Sequence, residues 1–519
     1  MTPIARMIPS VPSLATLGVL ATCAANCKGP QLIFYALGNV VYNLWFHPLR
    51  QYPGSKFDAA TRLPYTFHYL RGSVTQRTKR LHDEYGHVVR IAPNTLSYTC
   101  SEAWDVTFED IYGLKQSSMR GNFPKDPKYY IKSDNDVSNI SNANDRDHRW
   151  LRRIQAHAFS EKAISLQQAS IQKHVDLFIT RLGDEIGSTR KGIINAVQWF
   201  TYLTTDIIGE LAFGENFDEF RKVQMFPSFE NLHWTVKSFA FFRELSRYPR
   251  VITYTMMFFM TPRSRLFSQW NAIDFGKELA GKRMKRGADQ VDFMSYILRH
   301  NDERTLSDVE IAVSSITFMI AGSETTATLM SGLAYLLLKN PSTLQKLTAV
   351  IRRDFPDSTG MTFLKLQKHD YINAVLSEAL RLYPPAPDSL FRVVPAEGGL
   401  LAGKFIPPGT SVTVNLFAAF RSPLNFHRPN EFIPERWLKD SPPEFQSDKR
   451  SVFQPFSTGT RSCLGKNLAW VEMRVILAHL LWHYNVEELM PDSTNWIEQQ
   501  KIYMFWEKPG LNIRLSKRD

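Results

Sequence analysis

Ten residues near the C-terminus hold the densest chemistry in the chain: Phe456-Ser-Thr-Gly459-Thr-Arg461-Ser-Cys463-Leu-Gly465. A thiolate persists only where positive potential and hydrogen-bond donors surround it. Cys463 sits just before a helix predicted over Lys466–Tyr484, whose free N–H groups and dipole supply both. Gly459 permits a tight turn, and Gly465 lets a flat, bulky group approach the backbone. Arg461 offers a permanently charged fork for a carboxylate, and Phe456 can shield the sulfur from water. A lone cysteine would read as an inert buried thiol. The F-x-x-G-x-R-x-C-x-G spacing reverses that reading and suits a thiolate ligating haem iron, with a propionate nearby.

Two further clusters carry charge into apolar helices. Ser307-x-x-Glu310 is a capping box and Asn340-Pro341 a stop. Residues 308–339 between them would span about 48 Å as a helix. From Ile311 to Leu338 the only charge is Glu324, beside Thr325 and Thr326. A membrane span competes, but an acid and two hydroxyls at mid-length argue for a buried, functional kink. Glu378 and Arg381 share one helix face. Their flanks Ala374, Val375, Leu376, Ala379, Leu380 and Leu382 are apolar, so the pair should be buried, and a buried pair must be fully hydrogen-bonded.

The elements that position these groups are legible in outline. Helical patterns dominate from about residue 145 to 385. Gly86–Cys100 alternates like a strand pair turning at Ala-Pro-Asn-Thr, and residues 398–415 return to strand with Pro-Pro-Gly as the turn. The 519 residues carry 62 Lys+Arg against 50 Asp+Glu, a net charge of +12. Hydrophobic residues at 44% and charged residues at 22% exclude a disordered or fibrous chain. Four scattered cysteines exclude a disulfide scaffold. Residues 7–27 and 29–46 carry no charge. Residues 1–46 therefore read as a membrane anchor, of one span or a hairpin, with a cleaved signal peptide as the alternative. Residues 47–56 read as a stiff Pro-rich linker, and 57–519 as one mainly α domain with a small β part. Lys282-Arg-Met-Lys-Arg286 reads as a solvated loop, not a nucleic-acid signal. Tyr254–Met260 reads as a core helix, or as a segment dipping into the membrane leaflet.

The cysteine loop resembles that of the cytochrome P450 family of haem-thiolate monooxygenases, and three more motifs stand in the family's order. Ala321–Thr326 resembles the oxygen-activation motif. Glu378-Ala-Leu-Arg381 resembles the E-x-x-R helix, and Pro434-Glu-Arg436-Trp437 the segment that completes its triad. Phe46-His-Pro-Leu, Arg90-Ile-Ala-Pro-Asn and Ala158-Phe-Ser are similar to fungal microsomal members of the isotrichodermin C-15 hydroxylase type. The resemblance implies a P450 fold and haem b with Cys463 as axial ligand. Thr325 would hold dioxygen and its waters, and Glu324 would relay protons. Glu378, Arg381 and Arg436 would form a structural triad. His148 stands where the family's W-x-x-x-R helix has its Trp, with Arg152 four residues on. With Arg461 and Arg392 these two would bind the propionates. Ala321, Asp388, Ser389, Leu390 and Phe391 would line the substrate pocket.

The implied reaction inserts one oxygen atom into a lipophilic small molecule, in fungal secondary metabolism of terpenoid, polyketide or alkaloid type. No dinucleotide or flavin segment is present, so electrons should come from NADPH through a separate cytochrome P450 reductase. The setting would be the endoplasmic reticulum membrane, in contact with lipid, with the catalytic domain cytosolic and no nucleic-acid partner. A haem-thiolate isomerase or dehydratase is the alternative enzyme, and a non-catalytic haem-binding membrane protein the alternative class.

Overall fold

The computed structural model describes residues 29–104, 111–112, 123–130, 137–188, 191–214, 227–260, 278–286, 292–299, 306–489 and 495–518. Its principal helices are α1 (Gly29–Val41), α2 (Leu63–Leu70), α3 (Val74–Tyr85), α4 (Asp145–Ala156), α5 (Gln168–Gly187) and α6 (Ala196–Phe213). They continue as α7 (Pro227–Leu245), α8 (Arg250–Met260), α9 (Asp308–Leu338), α10 (Pro341–Asp354), α11 (Asp370–Leu382) and α12 (Lys466–His483). The strands are β1 (Val88–Ala92), β2 (Thr95–Tyr98), β3 (Ile193–Asn195), β4 (Arg392–Val393), β5 (Gly399–Leu401) and β6 (Lys404–Ile406). They end with β7 (Ser411–Val414), β8 (Tyr484–Glu488), β9 (Lys501–Tyr503), β10 (Phe505–Glu507) and β11 (Asn512–Lys517). The mainly α architecture with a small β part is as expected.

Helix α9 forms where the capping box and the Asn-Pro stop place it. Ser307 and Glu310 cap each other's backbone N–H groups reciprocally. The helix is buried on nearly every side, which explains its uniformly apolar sequence. Two glycines let neighbours come close. A Cβ on Gly322 would stand 2.7 Å from Ile208 of α6, and one on Gly332 would stand 2.1 Å from the Tyr383 ring at the end of α11. The Thr204 hydroxyl of α6 donates to the Ser323 carbonyl at 2.9 Å, joining the two helices where α9 carries its acid.

Strands β1 and β2 pair antiparallel, and β2 runs parallel to β7 with Thr95 opposite Ser411. β4 closes a sheet of order β1-β2-β7-β4. The β5–β6 hairpin turns at Ala402-Gly403, both at positive φ. Pro-Pro-Gly, expected as the turn of this region, links β6 to β7 with Gly409 at φ 75°. β11 lies between β3 and β8.

Three expectations change. Residues 282–286 are not a solvated loop: residues 278–284 are helical, and Arg283 is buried against Asp292 and Ser295. Tyr254–Met260 is not a core helix, since α8 exposes Val251, Ile252, Tyr254, Phe258 and Phe259 and buries Thr253. The 47–56 segment packs onto the sheet, with Leu49 and Tyr52 buried beside Leu96 and Val412. Residues 1–28 of the expected anchor lie outside the described residues. Residues 29–46 form α1 and a π-helical turn, Tyr42–Phe46, that together expose Ile33, Phe34, Tyr35, Leu37, Trp45 and Phe46. Among the described residues, no helix is long and apolar enough to cross a membrane.

Candidate active site

Cys463 ends a tight loop. Its N–H donates to the Phe456 carbonyl at 2.8 Å, and Gly459 takes the positive φ of 73° that the turn requires. Cys463 is exposed as a residue, although protein surrounds its thiol at depth. That desolvation raises the thiol pKa. A hydrogen bond from the Gly465 backbone and the charges of Arg152 and Lys466 oppose the rise. Arg152 stands one turn after His148 on α4. It donates to the Ser462 carbonyl at 2.6 Å and hydroxyl at 3.2 Å, holding the loop beside the sulfur. Phe456 packs toward Trp470 of α12.

Arg461, Arg392 and His148 do converge, and Lys125 joins them. Arg461 grips Asp145 and the Ala143 carbonyl but leaves Nη1 buried without a partner. Arg392 is buried with both Nε and Nη1 unpartnered. Lys125, bridged to Arg392 through the backbone, donates to the Ser141 carbonyl and lies over the Tyr130 ring. Burial, then Arg461 and Arg392, push its pKa down to about 6. Burial, then Arg461, Lys125 and Arg152, push His148 down to about 3, so its ring is neutral and has one N–H to donate. Orphaned guanidinium donors and crowded cations are costly unless an anion arrives. The two carboxylates of a haem are anions that would fit this cradle, and Cys463 would supply a sulfur for its iron. Lys125 escaped the sequence reading because a single lysine in an unpatterned loop carries no periodic signal.

On α9 the expected residues split between two faces. Ala321 is exposed and Thr325 half-exposed within an otherwise buried helix, and the Thr325 hydroxyl donates back to the Ala321 carbonyl at 2.6 Å. Glu324 is buried. It accepts from the Thr328 hydroxyl at 3.2 Å and from the ammonium of Lys508. Thr326 donates to Glu472 of α12 at 2.8 Å.

Glu378, Arg381 and Arg436 are all fully buried. Glu378 accepts five hydrogen bonds: two from Arg381 (2.7 and 2.8 Å), one from Arg436 (3.1 Å), one from the Ile433 N–H (2.9 Å) and one from the Trp437 indole (2.8 Å). Burial alone would raise its pKa, but the two guanidiniums hold it below the usual carboxylate range. Asp448, which sequence reasoning missed, balances Arg436 at 2.6 Å.

The segment expected to line a substrate pocket is largely satisfied by protein. Asp388 is buried and accepts from Tyr129 (3.1 Å) and Arg243 (3.2 Å). Ser389 is buried beside Asn415 at 3.4 Å. Phe391 is buried with its ring 4.9 Å from that of Tyr129, and Leu390 packs on the core around β2 and β7.

Comparison with known proteins converges on one family. The family model for cytochrome P450 matches residues 60–513. A cytochrome P450 monooxygenase, astA, from Talaromyces wortmannii is 40% identical over 92% of this chain and 94% of its own length. The cytochrome P450 monooxygenase stcF of Emericella nidulans is 40% identical over 94% and 98%. An averantin hydroxylase of Dothistroma septosporum is 37% identical over 96% and 92%. The crystal structure of the cytochrome P450DA heme domain shares the fold, with a TM-score of 0.68 at 19% identity over 87% of this chain and 94% of that one. With the family model running from Ala60 to Ile513 and identities of 40% along nearly the full length of two relatives, the chain belongs to the cytochrome P450 family and is a monooxygenase enzyme.

Proposed function

We propose that this chain hydroxylates a lipophilic secondary metabolite, with haem b ligated by Cys463. Two electrons would come from NADPH through a separate reductase, at the cytosolic face of the endoplasmic reticulum. Thiolate-bound haem supplies the activation of dioxygen and the transfer of one oxygen atom, the other leaving as water. The observation that carries the reading is the set of unpartnered buried donors on Arg392 of β4 and on Arg461, which stands two residues before the exposed Cys463. Arg392, Arg461 and Lys125 hold the carboxylates, and neutral His148 donates one hydrogen bond. Arg152 and the Gly465 backbone stabilise the thiolate. Ala321 leaves space for substrate, and the Thr325 hydroxyl orients dioxygen and the water that brings its protons. The hydroxylase names of two relatives support hydroxylation as the reaction form.

Two surface features support the partners. A groove of about 420 Å³ lined by Lys466, Asn467, Trp470, Arg474 and Leu364 opens at the start of α12, just past Cys463. Its lining also includes Glu161, and its two cations and apolar side chains offer a seat for an acidic reductase. The exposed aromatic residues of α1, its π turn and α8 offer a surface for lipid. The test is spectroscopic. Reduced, CO-treated protein should show the red-shifted Soret band of a thiolate-ligated haem, and Cys463→His should lose it while retaining haem. A wild-type band of histidine-ligated type overturns the proposal.

A further inference from the structure

Lys508 lies in the turn between β10 and β11, far in sequence from α9, yet its side chain is 3% exposed. Its ammonium donates to Glu324 and, at 2.7 Å, to the Thr328 hydroxyl, which itself donates to Glu324 at 3.2 Å. The turn is fixed on both sides. The Trp506 indole donates to the Pro384 carbonyl at 2.8 Å and stacks 4.4 Å from the Tyr383 ring. The Trp496 indole donates to the Pro509 carbonyl at 3.1 Å. Other groups facing Glu324 include Tyr383, whose hydroxyl is engaged by Gln500. The same hairpin reaches α7, where Lys237 pairs with Glu507 at 2.6 Å.

We propose that Lys508 is a positioning residue for proton delivery. It holds Glu324, the neighbour of Thr325, in a fixed orientation against an ammonium inside the fold. This rests on the proposed role of Glu324 as a proton relay. A relay must accept a proton as readily as it gives one, and a buried carboxyl without a cation stays neutral. The coupled reaction is RH + O2 + 2 e− + 2 H+ → ROH + H2O, with the electrons from NADPH through the reductase. When protons arrive late or at the wrong atom, the same electrons give O2 + 2 e− + 2 H+ → H2O2. Lys508 therefore governs how the electrons divide between product and peroxide.

The test uses holoenzyme with its reductase and compares wild type, K508M, K508R and E324Q with the double variant. K508M should bind haem and substrate normally. Its kcat should fall about tenfold, a fraction of what a positioned proton donor contributes. Product per NADPH should drop and the solvent deuterium isotope effect on kcat should rise. Infrared spectra should gain a protonated-carboxyl band that the double variant lacks. K508R should restore coupling, and the double variant should be no worse than E324Q. K508M with wild-type coupling and isotope effect overturns the proposal. A K508M defect alongside a wild-type E324Q overturns the relay reading of Glu324 instead and leaves Lys508 as packing. Where K508M fails to load haem, K508Q serves, because it keeps a donor without the charge. Wild-type coupling in K508Q also overturns the proposal.

Discussion

Glu472 is fully buried with its carboxyl against the Thr326 hydroxyl, and burial raises its pKa from 4.5 to about 8, the hydroxyl opposing. The raised value means that the neutral acid is what the fold accommodates. Its contribution to stability is complete below the unfolded value of 4.5 and is lost as pH climbs through 8. Glu472→Gln removes that dependence. Thermal melts between about pH 5 and about pH 9 should converge with wild type at the acid end and favour the variant at the alkaline end; parallel curves would contradict this. Thr325 gives a second prediction. Thr325→Ala should keep haem and substrate affinity but cut product per NADPH by roughly tenfold and raise peroxide. Unchanged coupling would reduce Thr325 to a back-bonded helix residue. Local spacing made Cys463, Arg461, Glu378 and Arg381 legible, because each sits in a short pattern with a physical reason. Lys125, Lys508, Glu472 and Asp448 were not legible. Their partners lie far along the chain or are single residues in loops, and no local pattern announces a pairing that only the folded topology creates.

Helix α9 shows the same division between elements. Its start, its stop and its apolar length follow from a capping box, an Asn-Pro pair and one lone acid, all local signals. Its packing depends on glycines whose necessity appears only against their neighbours. At Gly332 a Cβ would lie 2.1 Å from a fully buried aromatic ring that is itself stacked on Trp506. At Gly322 the obstacle is the flexible end of Ile208. Gly332→Ala should therefore destabilise by about 1–3 kcal/mol or more, and Gly322→Ala by less. Denaturant midpoints of the holoenzymes measure both, and equal costs would mean that Tyr383 can yield. Two misreadings at this scale share a cause. Composition shows a charge run at 282–286 and an apolar run at Tyr254–Met260, but not that Arg283 meets a buried acid or that α8 turns its aromatic side outward.

For the whole molecule, charge and surface lead to a topological prediction. Arg6 alone precedes the apolar N-terminal region, whereas Arg50, Lys56, Arg62 and Arg71 follow it, which favours a cytosolic catalytic portion. Asn139-Ile140-Ser141 lies in a surface turn and would accept a glycan in a lumenal protein. Expressed in a eukaryotic host, the protein should show no glycosidase-sensitive mass shift, and protease added to sealed microsomes should digest it. A glycan on Asn139 or full protection would reverse the orientation. The sheet that joins β3, β11 and β8 has a consequence for synthesis on the ribosome. Strand β11 pairs with Asn195 and its neighbours, which emerge more than three hundred codons earlier. Until β11 emerges, β3 and β8 lack their common partner, and the apolar sides of α9 lack elements that cover them. The nascent chain must wait with this sheet unfinished over the intervening codons. A nonsense mutation at codon 512 would then deprive the polypeptide of its closing strand.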